Sequence, residues 1–384
     1  RERSSCLFES MRLLIIDKTA GLPSAHERHQ ALACLPNLEI HVFGPSRWVE
    51  NDRAVSWVDH GDERYVPHRG TVCFPGYYAR HFYSGGLVRV LRNVKPEVVQ
   101  LLEEPWALVS GETAFLRTFV GSFDLLFYTW ENLYRPWKYP SRLSPVYARI
   151  DRWLHRISVG AICATGMAET VLRRKGYDKP TAVIPYGVSA RYFQSPVIRK
   201  DPGRPFTVGY IGRMLEMKGV DILIRAMDRL PDAELTLIGS GADEGIFRSL
   251  ASQCHVENRV RWISSIPEEE VVNHLVSFDL LVLPSRTMPG WSEQLGRILI
   301  EAMALGIPAF GSSSGAIPEV LGREDLLFPE DDVDALVGAI RRLREDAVWR
   351  TEIVEYRQRR ARELFSWERF AANMGDFYRN LGFL

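Results

Sequence analysis

The chain has 384 residues, more than one hydrophobic core usually organises, so two domains are expected. Its 48 basic and 48 acidic residues cancel, which removes the field that non-specific nucleic-acid binding relies on and excludes nucleic acid as an expected partner. Five cysteines without CxxC spacing indicate neither a zinc site nor a disulfide framework, and no stretch reaches the length of a membrane span.

Residues 1–10 read as an irregular leader without a signal-peptide core. From Met11 onward, short apolar runs at 12–16, 39–43, 97–101, 123–128, 160–164 and 181–184 alternate with segments of helical period. That alternation is expected of parallel strands covered on both faces by crossover helices. Three prolines and several charges in 195–205 mark a linker, and a second series of runs follows at 206–211, 234–238, 260–263, 280–283 and 308–311. The fold class is therefore α/β, with two Rossmann-like doubly wound domains, 11–194 and 206–366, facing across a cleft. The amphipathic stretch 367–384 is expected to cross back onto the first domain. Ligands of open α/β sheets bind beyond the carboxyl ends of the strands.

In the first domain the polar strand ends are Gly21, Glu103-Glu104, and Trp130-Glu131-Asn132. Glu103-Glu104 and Glu131-Asn132 each read equally as cleft-facing groups or as local capping. Aromatic and basic residues such as Trp130, Tyr134, Trp137, Lys138, Trp153, Arg173, Arg174 and Lys175 could flank a bound carbohydrate or lipid, and for the last group a packed helix with a solvated face is the plainer reading.

The second domain opens with a strand, a glycine turn carrying two cations, and a helix, the order used to bind phosphate. Gly212 lets the backbone approach an anion, Arg213 offers a forked contact and Lys218 a point charge. Gly239-Ser240-Gly241 is a weak glycine signal, because Gly245 falls one position late for a dinucleotide fingerprint. A shaped loop, 284–292, then leads into Glu293-Gln294-Leu295-Gly296-Arg297-Ile298-Leu299-Ile300-Glu301. If a helix starts near Gly296, its free amides form an anion seat flanked by two carboxylates suited to sugar hydroxyls. An amphipathic helix with a solvated Glu at each end is the plain alternative. The acids of 329–334 directly precede an apolar helical run and read as a helix start, with metal binding the weaker option.

The Glu-x7-Glu element after a Gly-Arg-x4-Lys-Gly loop resembles the donor domain of the retaining GT-B glycosyltransferases of glycosyltransferase family four. Pro284-Ser285, Glu301-Ala302-Met303-Ala304, Gly315-Ala316-Ile317-Pro318-Glu319 and Ile184-Pro185-Tyr186-Gly187-Val188 extend the likeness over roughly residues 160 to 345. The resemblance implies that Arg213 and Lys218 bind a donor diphosphate, Glu301 the ribose and Glu293 the transferred sugar. It further implies that the amides of Leu295, Gly296 and Arg297 meet sugar and phosphate, and that Ile266 contacts the base through its main chain. Gly212 and Gly239 would line the donor. The first domain departs from the pattern, having Gly21 where relatives have Gly-Gly, and Trp130-Glu131-Asn132 where many carry a histidine.

The expectation is thus a retaining, metal-independent hexosyltransferase using a UDP- or GDP-sugar and a hydroxyl acceptor on a glycan, a lipid-linked sugar or a small molecule. No cofactor or metal is expected. A cytoplasmic location, with peripheral contact at the inner membrane surface left open, and a role in cell-envelope or glycan biosynthesis complete it. The alternatives are a sugar-nucleotide epimerase or hydrolase of the same fold, or a nucleotide-sugar-binding subunit without catalysis.

Overall fold

The computed structural model describes residues 10–50, 53–57, 60–135, 139, 143–194 and 203–384. The leader residues 1–9, Trp137, Lys138 and residues 195–202 of the expected linker lie outside the described residues. The chain divides into two units, one formed by residues up to Gly187 together with Trp367–Leu384, the other by Val188–Ser366.

The first unit contains β1 (Met11–Ile16), β2 (Leu38–Pro45), β3 (Arg47–Glu50), β4 (Arg53–Ser56), β5 (Val66–Cys73), β6 (Phe82–Gly85), β7 (Val98–Leu101), β8 (Asp124–Thr129), β9 (Gly160–Cys163) and β10 (Thr181–Val183). Eight of them form one sheet in the order β10-β9-β8-β7-β1-β2-β5-β6, parallel except for the β5–β6 pair, while β3 and β4 pair antiparallel on their own. Leu13, Leu14, Ile15 and Ile16 are completely buried, which explains why β1 reads as an unbroken apolar run. The six expected strands appear within one or two residues; β3 to β6 are additions. In β5, Pro67, His68 and Arg69 interrupt any apolar run, and only Gly70 is fully buried.

The helix Trp367–Asn380 belongs to this first unit and packs on the helix Pro23–Leu32. Its Phe370, Met374, Phe377 and Tyr378 share a core with Leu13, Ile15 and Val42. The Tyr378 hydroxyl donates to Gln100 Oε1 at 2.6 Å, tying the end of the chain to β7.

The second unit contains β11 (Phe206–Ile211), β12 (Ala233–Ile238), β13 (Val260–Ile263), β14 (Leu280–Leu283), β15 (Ala309–Ser312) and β16 (Leu327–Phe328). All are parallel, in the order β13-β12-β11-β14-β15-β16. The order reverses between β11 and β14, so the loops leaving these two strands diverge and open a crevice at their carboxyl ends. Among the described residues no helix is long and apolar enough to cross a membrane.

Candidate active site

The site of the second unit is built where β11, β12 and β14 end. Gly212 donates its amide to Ile238 O at 2.9 Å, and a Cβ on Gly239 would lie 1.9 Å from Gly212 O. With φ at +138°, Gly239 is a position that only glycine fills without strain, and its lack of a side chain brings the two loops into backbone contact. The turn carrying Lys218 is pressed onto β14 in the same way: Gly219 sits at φ +65°, and a Cβ there would lie 2.0 Å from Pro284 O.

That close approach puts Lys218 beside Glu293. The Lys218 ammonium donates to Glu293 Oε2 at 2.7 Å, and the buried Ser285 hydroxyl donates to the same oxygen at 2.6 Å. The ammonium also lies 4.6 Å from the centre of the Trp291 ring. Behind the acid, Glu293 O accepts the Ala316 amide at 3.0 Å, and a Cβ on Gly315 would lie 2.1 Å from that oxygen. The 284–292 loop is anchored by Arg286, which pairs with Asp221 at 2.6 Å and with Asp331, and donates to Glu216 O at 3.0 Å. Arg213 is exposed and makes no ion pair among the described residues; its carbonyl accepts the Tyr210 hydroxyl at 2.8 Å.

The helix Arg297–Ala304 begins immediately after Gly296, whose φ of +69° turns the chain into it, and no side chain caps its start. Its first-turn amides can therefore receive an anion. Leu295 is buried under this turn. Glu301 is buried one turn into the helix and pairs with Arg297 Nε at 2.8 Å. Burial pushes the Glu301 carboxyl up, and the Arg297 charge pulls it back. Arg297 also reaches Glu268 at 2.7 Å, two residues beyond the half-buried Ile266, and Arg191 holds the Glu268 carbonyl at 3.0 Å. Tyr192 is fully buried beside Glu301, whose charge adds to burial in pushing the phenol up.

The structure thus brings together Lys218 with Glu293, Gly212 with Gly239, and Arg297 with Glu301 and the Ile266 loop. Arg213 is not drawn into these contacts. Sequence reasoning missed Glu268 and Tyr192 as neighbours of Glu301, for which there is no signal. It also gave no role to Ser285 or Trp291, although both stand in the motif and loop it singled out. The acids of 329–334 are spent locally: Asp332 caps the helix Val333–Glu345 through the Ala335 amide at 2.8 Å, Asp331 holds Arg286, and Glu330 accepts from Thr287. Among the described residues no cluster of three or more His, Cys, Asp or Glu side chains is placed to hold a metal ion.

In the first unit Gly21, Glu104, Trp130, Glu131 and Asn132 have internal partners. Gly21 packs within 3.2 Å, measured from its missing Cβ, of the Trp57 backbone. Glu104 accepts from Thr129 Oγ1 and from the Trp130 amide, each at 2.8 Å, so it spans the ends of β7 and β8. Burial and the nearby Glu131 push its carboxyl up to about 7. Glu131 is tied to Lys175, which also pairs with Asp151 at 3.2 Å. Asn132 accepts from Thr165 Oγ1 at 2.9 Å, and the Trp130 ring packs tilted on Tyr128 and edge-on to Tyr186. The neighbouring Glu103 pairs with Lys18 at 2.7 Å.

The comparisons with known proteins fall on this geometry. Residues 194–362 match the glycosyl transferases group 1 family model. The matched stretch holds every residue of the second unit's site named above from Gly212 to Glu301. A GDP-mannose-dependent monoacylated alpha-(1-6)-phosphatidylinositol monomannoside mannosyltransferase of Corynebacterium glutamicum is 32% identical over 163 residues, 41% of this chain and 42% of that protein. The chain spans about half the length of the curated relatives it matches. Among solved structures, sucrose-phosphate synthase from Thermosynechococcus elongatus superposes with a TM-score of 0.73 at 21% identity, covering 97% of this chain and 99% of that one. Anabaena HepE in complex with UDP gives 0.71 at 15% identity, covering 96% and 100%. These likenesses establish the fold: α/β, of the GT-B class, with Rossmann-like units.

Proposed function

We propose that the protein is a glycosyltransferase that moves a hexose-type sugar from a UDP- or GDP-sugar to a hydroxyl acceptor, with retention at the anomeric carbon and without a metal. The observation that carries this reading is the meeting of Lys218, Glu293 and an uncapped helix start at the carboxyl ends of adjacent strands β11 and β14. The match of residues 194–362 to the group 1 model supports it.

In this scheme Glu301 accepts from the ribose hydroxyls and Glu293 from the sugar. Lys218, Arg213 and the amides at Gly296 take up charge as the diphosphate leaves. The acceptor hydroxyl attacks the anomeric carbon from the face the diphosphate vacates, the carbon–oxygen bond to phosphate breaks, and the hydroxyl proton passes to the departing phosphate oxygen. Gly21, Glu104, Trp130, Glu131 and Asn132 belong to the acceptor side of the proposal. So do a glycan or lipid-linked acceptor, a cytoplasmic location with peripheral membrane contact, and a place in envelope or glycan biosynthesis.

The test is a thermal-shift screen in EDTA with UDP-glucose, UDP-galactose, UDP-N-acetylglucosamine and GDP-mannose, followed by turnover with and without acceptor sugars. A donor that raises the melting temperature and releases nucleotide only with acceptor supports transfer. Consumption of donor alone points to a hydrolase or epimerase, and no shift with any donor overturns the reading.

A further inference from the structure

Lys218 and Glu293 stand 75 residues apart in sequence, yet the structure makes them each other's partner. Their side chains are 14% and 9% exposed, so the pair is shielded from water, where a charge deprived of its counterion is costly. Three contacts reinforce it: Ser285 Oγ on Glu293 Oε2, the Trp291 ring over the ammonium, and the backbone clamp of Glu293 by Ala316. The same two groups are the ones that a diphosphate and a transferred sugar would claim.

Resting on the glycosyltransferase reading above, we infer that the Lys218–Glu293 pair makes the site selective for a nucleotide that still carries its sugar over the bare nucleoside diphosphate. A diphosphate draws on the Lys218 ammonium and so competes with the Glu293 carboxylate for it. When the nucleotide carries a sugar, its hydroxyls donate to Glu293 and replace the lost ammonium. A bare diphosphate supplies no such donor. It leaves Glu293 with less compensation and sets a second negative charge near it.

The consequence runs through the reaction. Once the sugar has moved to the acceptor, Glu293 reclaims Lys218 and weakens the hold on the nucleoside diphosphate that remains. Glu293 is then a specificity-determining residue for donor over product, in addition to its contact with sugar. Ser285 is a positioning residue, because it fixes the carboxylate oxygen that Lys218 uses.

The experiment measures binding of UDP, UDP-glucose, GDP and GDP-mannose to the wild-type chain, Glu293→Gln, Lys218→Gln, the double variant and Ser285→Ala, each checked for native circular dichroism. The inference expects Glu293→Gln to tighten the bare diphosphate about fivefold or more while weakening the sugar nucleotide, so that the preference inverts. In the Lys218→Gln background the same change should tighten the diphosphate by clearly less, through relief of direct repulsion alone, and Ser285→Ala should move both ligands in the Glu293→Gln direction by less. Diphosphate affinity that falls or stays constant in Glu293→Gln, with the wild type binding normally, overturns the inference alone. Failure of all four ligands to bind the wild type overturns the glycosyltransferase reading and the inference with it.

Discussion

Arg297 and Glu301 lie one helical turn apart and form an ion pair at 2.8 Å in which the guanidinium offsets what burial does to the acid. The same guanidinium reaches Glu268 at 2.7 Å, so one side chain ties the acid to the loop that holds Ile266. Removing it takes from the buried Glu301 its ion-pair partner and leaves the weaker influence of Arg191.

For Arg297→Met the Glu301 carboxyl, already raised by burial, should rise further, since the change deletes the opposing charge. An ionised Glu301 is the better acceptor for ribose hydroxyls, so nucleotide affinity should fall as the pH is lowered through its ionisation. That fall should begin at higher pH in the variant. Calorimetric binding of UDP and GDP between pH 5 and pH 8 measures it, and superimposable wild-type and variant profiles would contradict the assignment.

Arg213 is exposed and makes no ion pair among the described residues, so little stability depends on it. Arg213→Ala should leave the melting temperature nearly unchanged and lower kcat by about tenfold or more. Glu301→Ala should instead act mainly on the donor KM. Steady-state kinetics at varied donor separates the two, and unchanged kcat in Arg213→Ala would remove that residue from the leaving-group machinery.

Gly239→Ala places a Cβ 1.9 Å from Gly212 O at a φ of +138°. Backbone has to move, so the loss should be about 3 kcal/mol or more. Chemical denaturation gives the figure. A loss below 1 kcal/mol would show that the two loops are not held as tightly as their geometry requires.

Glu104 offers a pH test in the first unit. Its carboxyl is raised to about 7 by burial and Glu131, above the ordinary value near 4.5. A group raised on folding contributes stability that is fully present below its unfolded value and is lost as pH rises through its folded value. Between pH 4.5 and 8 the wild type should therefore lose stability relative to Glu104→Gln, by on the order of 2 kcal/mol. Denaturation midpoints across that range check it; parallel curves would refute a raised carboxyl at the β7–β8 ends.

Much of this was legible in the chain itself. Leu13–Ile16 and Leu280–Leu283 are buried on both sides, and such strands must be apolar at every position, so they announce themselves. The half-buried β5, with Pro67 and Arg69, has no such constraint and leaves no trace. Gly212, Lys218, Glu293 and Glu301 stood out because their local spacing, helped by a family likeness, matched a phosphate seat between two acids.

The sequence by itself determined the fully buried strands, their alternation with helices and the residue types available at the candidate site, since those follow from burial and local spacing. Only the tertiary structure decided that Lys218 faces Glu293, that Arg297 also reaches Glu268, and that Glu104 bridges two strand ends. Such pairings are set by which strand ends adjoin in the sheet and where missing Cβ atoms let loops touch. A linear pattern records neither.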